Sequence, residues 1–330
     1  MKALLAFGLV AGLFLIGLGG GAAGYDTVFG IVVPYLAILL FLGGFAYRVL
    51  KWASVPVPFR IPTTCGQERS LPWIRQQKLE NPSSLPSVLG RMTLEILFFR
   101  SLLRNTKTRL TAEPRLVYGT DLSLWLGAIA MHWSLAIVLI RHLRLMTDPV
   151  PSFVTFVERV DGFLEVGMPV FYVTSVVFLL ALGYLLYRRL VHPQVRYISL
   201  AGDYFALFLL LGIGGSGFWM RHVAKTDVAG VKAMVLGLFH FAPTTPASVS
   251  PLFYAHLFLV SVLLAYFPVG KLMHMPGVFL SPTRNLANNN RAVRHINPWD
   301  YPVKVHTYEE YEDELREKML AAGIPVERQS

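Results

Sequence analysis

The sequence has a single cysteine, Cys65, so no disulfide can form within the chain and no cysteine-rich metal site is available. The C-x-x-C-H motif of covalent haem attachment is absent, as are dinucleotide and phosphate-loop fingerprints and repeats of solenoid period. Charge is also scarce: 15% of 330 residues are charged, whereas 54% are hydrophobic. A soluble domain does not read as long, nearly charge-free apolar runs, so the chain is an integral membrane protein. The formal net charge of +10 admits a nucleic-acid partner. The basic residues cluster beside the apolar runs instead, which points to a membrane surface and away from nucleic acid.

Six apolar segments are long enough to span as helices: 3–22, 28–50, 118–146, 163–187, 204–220 and 251–275. The predicted fold class is therefore an all-α integral membrane protein with six transmembrane helices. The first run is long for a signal peptide, so a retained helix is expected over a cleaved leader. Between Arg48 and Arg115 lie twelve Lys and Arg against four Glu, and Arg188, Arg189 and Arg196 follow the fourth segment. The positive-inside rule puts that loop and both termini in the cytoplasm of a bacterial or archaeal cell, with the spans in its cytoplasmic membrane. The expected division is 1–27 for the first helix and its turn, 28–275 for a membrane domain including the loop 51–117, and 276–330 for a cytoplasmic partner-binding tail.

The loop is more than a linker. Residues 56–67 are dense in proline and other breakers and predict an irregular segment. Residues 88–105 place Arg91, Arg100 and Arg104 among apolar residues at helical spacing, predicting an interfacial helix. Asn288, Asn289 and Asn290 open a polar tail in which 308–322 predicts a short helix, acidic residues first.

Four of nine histidines, His132, His142, His256 and His274, lie within or at the ends of apolar spans. Ionisable groups there are expensive and face the bundle interior. Any one alone is as readily a hydrogen-bonded packing residue as a ligand. Eighteen steps of about 100° would put His256 and His274 on one helix face about 27 Å apart, close to the bilayer core thickness of about 30 Å. His132 and His142 are ten apart, about 15 Å of rise and about 80° around their helix. Antiparallel third and sixth helices then pair His132 with His274 toward the inside and His142 with His256 toward the outside. Two facing imidazoles at each level suggest two non-covalent, bis-histidine haems suited to electron transfer. A haem-free anchor or transporter, its histidines moving protons or packing, is the alternative from another class. Neither inverted halves nor broken, centrally charged helices are evident for it.

At these residues the chain resembles the nitrate reductase gamma-subunit family of dihaem membrane cytochromes b, whose histidines are spaced by ten and eighteen and pair crosswise. The resemblance implies a five-helix core over 28–275 with 3–22 as an extra helix. Within the family, residues 59–67 (FRIPTTCGQ) and the polar C-terminus are similar to membrane cytochromes b of sulfite-reduction-associated complexes; a nitrate reductase or heterodisulfide reductase subunit is the alternative. That similarity implies electron exchange with menaquinone and transfer to a cytoplasmic heterodisulfide-reductase-like iron–sulfur subunit. A periplasmic multihaem cytochrome c and further membrane and iron–sulfur subunits would be partners. A quinone site needs a proton-exchanging group near a haem; Arg159, Asp161, Glu165 and His222, with Arg141, fall near the outer end, each also readable as an interface anchor or structural partner.

Overall fold

The computed structural model describes residues 1–55, 66–104, 106–112, 115–165, 169–293 and 304–327. Cys65, residues 59–65 of the stretch singled out above, and His295 lie outside them.

The spans form where the apolar runs predict helices. They are α1 (Lys2–Ala22), a π-turn (Val28–Val32) leading into α2 (Val33–Ala53), α4 (Leu122–His142), α6 (Val173–Val191) and α8 (Ala201–His222). Shorter elements lie between and beyond them: α3 (Leu85–Phe98), α5 (Ser152–Asp161), α7 (Pro193–Ile198) and α9 (Val228–Phe239). After these come α10 (Pro251–Tyr266), α11 (His274–Leu280), α12 (Pro282–Asn285) and α13 (Tyr308–Ala321). Strands β1 (Lys107–Leu110) and β2 (Leu116–Gly119) pair antiparallel, Lys107 opposite Gly119. Leucines such as Leu4, Leu15, Leu39 and Leu180 stay exposed along the spans. Such a surface is stable only in lipid, and the chain is a multi-pass membrane protein.

Around the bundle α4 packs on α6, α6 on α8, α8 on α10 and α10 on α2, while α1 lies against both α8 and α10. The α1–α10 approach is set by Gly17 and Gly21, four residues apart. A Cβ on Gly17 would sit 2.9 Å from Ala255 Cα, and one on Gly21 3.0 Å from Pro251 Cα. Small residues at this spacing let helix backbones close on each other in lipid.

The structure departs from the sequence expectations at definite places. The segment 251–275 is not one helix: α10 stops at Tyr266, and the helical stretch from Lys271 onward is bent away from it by 66°. Pro268 has no N–H to give, and Gly270 takes an extended backbone (φ −88°, ψ 178°). His256 and His274 therefore do not share a helix face. Helix α6 begins at Val173, not at 163, because 162–172 contains Gly162 and Pro169 and places Glu165 in the left-handed region (φ 48°). Residues 118 and 119 belong to β2, so α4 starts later, behind its N-cap Asp121. The helix expected over 88–105 covers 85–98, and Phe99 ends it at φ 49°. The loop after α8 contains the apolar helix α9, whose Val231 and Met234 pack on Phe253 and Tyr254 of α10.

At the end of the bundle carrying α3 (the loop end), a polar network joins two distant stretches. Arg91 donates to the Glu80, Thr283 and Arg284 carbonyls, and Arg284 pairs with Glu95 at 2.9 Å. Buried Asn288 donates to Asn81 Oδ1 at 2.8 Å. Burial, and after it the neighbouring Arg284 charge, lower the pKa of Arg91 from its ordinary value.

Candidate functional site

The first histidine pair lies toward the loop end. Helix α4 is started there by Asp121, which accepts from Leu124 N at 3.1 Å and is paired with Arg188 of α6 at 2.7 Å. This fixes the helix that carries His132. The His132 Nδ1 lies 2.8 Å from Ala128 O. His274 opens α11, with Nδ1 2.8 Å from Lys271 O. The two ring centres are 6.0 Å apart and the planes nearly perpendicular, at 87°. A metal–imidazole bond is about 2.0–2.1 Å and the ligating nitrogen lies about 1.1 Å from its ring centre, so imidazoles on opposite sides of one metal have centres about 6 Å apart. A separation of 6.0 Å between ring centres is compatible with one metal between the two imidazoles. Phe99 lies edge-on to His132 at 4.9 Å.

The second pair lies at the opposite, far end. His142 closes α4, with Nδ1 2.7 Å from Val138 O. His256, in the second turn of α10, has Nδ1 2.9 Å from Ser216 Oγ on α8. Gly217 makes room for this ring, since a Cβ there would be 3.3 Å from His256 Cε1. His142 and His256 lie within electrostatic reach of each other, without the ring contact of the first pair.

The proton positions are set by the partners. A carbonyl only accepts, so Nδ1 of His132, His142 and His274 must carry the proton. Ser216 has one proton and lies 2.7 Å from Gly212 O. With that proton given to Gly212, the serine oxygen accepts from His256 Nδ1–H. With the proton on Nδ1, a neutral imidazole at each of the four positions leaves Nε2 unprotonated, the tautomer of a histidine that binds a metal through Nε2. Among the described residues no group of three or more His, Cys, Asp and Glu gathers. Each pair offers two nitrogens, unlike the closed four-ligand shell of a structural zinc site and like the axial demand of a haem.

Of the other sequence candidates, the structure gathers some and leaves others apart. Asp161 is buried and paired with Arg141 Nε at 2.9 Å. It also accepts from Thr174 N at 2.8 Å and Thr174 Oγ1 at 2.6 Å, capping the start of α6. Arg141 lies 3.9 Å over the Tyr172 ring, and Arg221 lies 4.2 Å over the same ring while donating to Val170 O. His222 packs against Phe171 and Phe218, with ring centres at 4.4 and 4.7 Å. Arg159 and Glu165 are exposed and join neither group. Sequence reading missed Ser216, Tyr172, Arg221 and Phe99. Ser216 lies forty residues from its histidine, and a serine in an apolar helix ordinarily bonds only its own preceding turn.

Residues 92–295, which include all four histidines, match the model of the nitrate reductase gamma subunit family. The chain is 45% identical over 307 residues to an Hdr-like menaquinol oxidoreductase cytochrome b-like subunit of Archaeoglobus fulgidus, covering 91% of this chain and 88% of the relative. A protein of the same description from Archaeoglobus profundus is 40% identical over 275 residues, 81% of each. With paired imidazoles in a multi-pass bundle and a family match over more than half its length, the chain belongs to the nitrate reductase gamma subunit family.

Proposed function

We propose that the chain is the dihaem b subunit of a menaquinol-linked membrane oxidoreductase. His132 and His274 would hold one haem iron, and His142 and His256 the other. The observation that carries this reading is the common state of the four imidazoles, each with Nδ1 engaged and Nε2 free. Haem b supplies one-electron transfer, and two axial histidines saturate its iron against oxygen binding. The protein's part is to fix ring orientation through Ala128 O, Val138 O, Lys271 O and Ser216 Oγ, and to keep water from the span between the two levels.

The loop end is the cytoplasmic end, by the basic excess between Arg48 and Arg115, which puts both termini and the His132/His274 pair on the cytoplasmic side of a bacterial or archaeal membrane. Menaquinol oxidation, or menaquinone reduction, takes place at the far end. There Asp161 has both oxygens engaged by Arg141 and Thr174, and Arg159 and Glu165 stand apart. His222, between two phenylalanines, is the candidate best fitted to meet a quinone carbonyl and exchange its proton. Electrons pass between this end and a cytoplasmic heterodisulfide-reductase-like iron–sulfur subunit; the descriptions of the two Archaeoglobus relatives support that partner class. The finer assignment, to DsrM of the sulfite-reduction-associated complex of dissimilatory sulfur metabolism, rests on residues 59–67 and the polar C-terminal extension. A periplasmic multihaem cytochrome c and other membrane subunits are then further partners.

The test is to purify the chain from membranes of a host supplied with haem and record reduced-minus-oxidised and pyridine haemochrome spectra. The expected result is two b haems per chain, His142→Ala and His274→Ala each removing a different one. No haem in the wild-type chain would leave a haem-free anchor as the reading.

A further inference from the structure

The sixth apolar segment, 251–275, breaks between the two histidines that it carries, and the break is gripped from α8. Before it, the Tyr266 hydroxyl donates to Gly202 O at 3.3 Å. After it, Lys271 Nζ pairs with Asp203 Oδ1 at 2.7 Å. Asp203 is buried to 6% side-chain exposure whereas Lys271 is 77% exposed, so the fixed member of the pair belongs to α8 and the strap is tied to it. The other Asp203 oxygen accepts from Leu200 N at 2.9 Å and faces Arg189 at 3.6 Å, which orients the carboxylate independently of Lys271. On the other side, Pro268 meets Gly44 of α2, where a Cβ would lie 2.8 Å away. The same Lys271 supplies the carbonyl that receives His274 Nδ1 at 2.8 Å.

We infer that Asp203 and Lys271 are positioning residues for His274. This rests on the reading of His274 as an axial ligand. A helix continued straight from α10 would carry residue 274 along its own axis. The 66° break turns the chain aside, and beyond it the His274 ring centre lies 6.0 Å from that of His132. The turn carries its own backbone bonds, from Val269 N and Gly270 N to Tyr266 O at 3.2 and 2.9 Å; the ion pair ties the chain beyond it to α8, and the carbonyl of the clamped Lys271 passes that constraint directly to the imidazole. The outer pair needs no such device, because His142 and His256 sit within regular helices.

The experiment compares the full-length chain, purified in its membrane-protein form, with Asp203→Asn, Lys271→Met and Lys271→Arg. Amide hydrogen exchange is followed over residues 267–273, and a potentiometric titration with low-temperature EPR resolves the b-type signals. Asp203→Asn and Lys271→Met should each raise exchange in the strap several-fold. Both should shift the midpoint of the same one of the two signals, the one that His274→Ala abolishes, in the same direction. Lys271→Arg, which keeps the pair, should restore both readouts. A purely electrostatic role would shift that midpoint in opposite directions, since one variant removes a negative charge and the other a positive one. Opposite shifts, or unchanged exchange, would overturn the inference. A wild-type chain without haem would instead overturn the haem reading and with it the ligand role of His274; the exchange measurement would still decide whether the pair holds the strap.

Discussion

Trp125 on α4 donates its indole N–H to the carbonyl of Phe98, the last residue of α3, at 2.7 Å. Two turns later Trp133 does the same to Leu97 O at 3.0 Å. The final carbonyls of a helix have no partner within it, and here α4 supplies the donors. The consequence lies one residue on: Phe99 turns into the left-handed region, and its ring meets His132. Replacing both tryptophans by phenylalanine keeps an aromatic ring at each position, though a smaller one, and removes the donors; the lost hydrogen bonds cost about 1 kcal/mol each. Amide exchange over 85–104 should rise in the double variant; unchanged protection would mean that α3 is held by its polar network alone.

The first helix gives a sharper steric prediction. Gly17 faces Ala255 and Phe258, whereas Gly12, on the same helix, has open space where its Cβ would be. Gly17→Leu must push α1 off α10 and should cost about 1–3 kcal/mol, as overpacking does. Gly12→Ala should be neutral or slightly stabilising through helix propensity, by at most about 1 kcal/mol. Thermal unfolding in detergent compares the two, and equal midpoints would contradict the glycine-mediated contact.

Hydropathy made the spans legible, because a lipid-facing helix must be apolar over about 20 residues whatever it packs against. That argument fixes where helices run and says little about what interrupts them. The pair Pro268 and Gly270 sits in an unbroken apolar run, so length concealed the 66° break. Chain topology alone brings His132 opposite His274; the shared helix face that also suggested it does not exist. Asp161 and Arg141 were visible as charges near one end, but their pairing depends on how α5 returns to the start of α6, which no local pattern encodes. The hydrogen bond from His256 to Ser216 was illegible for the same reason.

The Arg141–Asp161 pair carries the next prediction. Both side chains are nearly buried, at 9% and 3% exposure, and Arg141 directly precedes His142 in α4. Asp161→Asn leaves a buried guanidinium without its carboxylate, while the amide oxygen can still accept from Thr174 N. Breaking one side of a buried pair costs about 3–5 kcal/mol. Arg159→Gln, at an exposed position, should stay within about 0.5 kcal/mol of wild type. Unfolding midpoints of the two variants, measured side by side, should differ by far more than experimental scatter. Equal midpoints would show Asp161 to be dispensable for the fold and free for other chemistry.

Asp121 supplies a pH dependence at the opposite end of α4, just outside the span. Burial pushes its carboxyl up, but hydrogen bonds from Ser123, Arg188 and Leu124 N, with the Arg188 charge, outweigh this and hold it well below the ordinary carboxylate range. A carboxyl whose folded pKa is depressed adds stability that is fully present above its unfolded value of about 3.9. That contribution is lost as pH falls from there through the folded value. Stability attributable to this group should therefore be flat from neutral pH to about 5 and decline below about 4. Asp121→Asn should start lower at neutral pH, because Arg188 loses its partner, and should lack that part of the acid decline. Parallel acid curves for the two proteins, in unfolding followed by far-ultraviolet circular dichroism, would place the acid sensitivity elsewhere in the bundle.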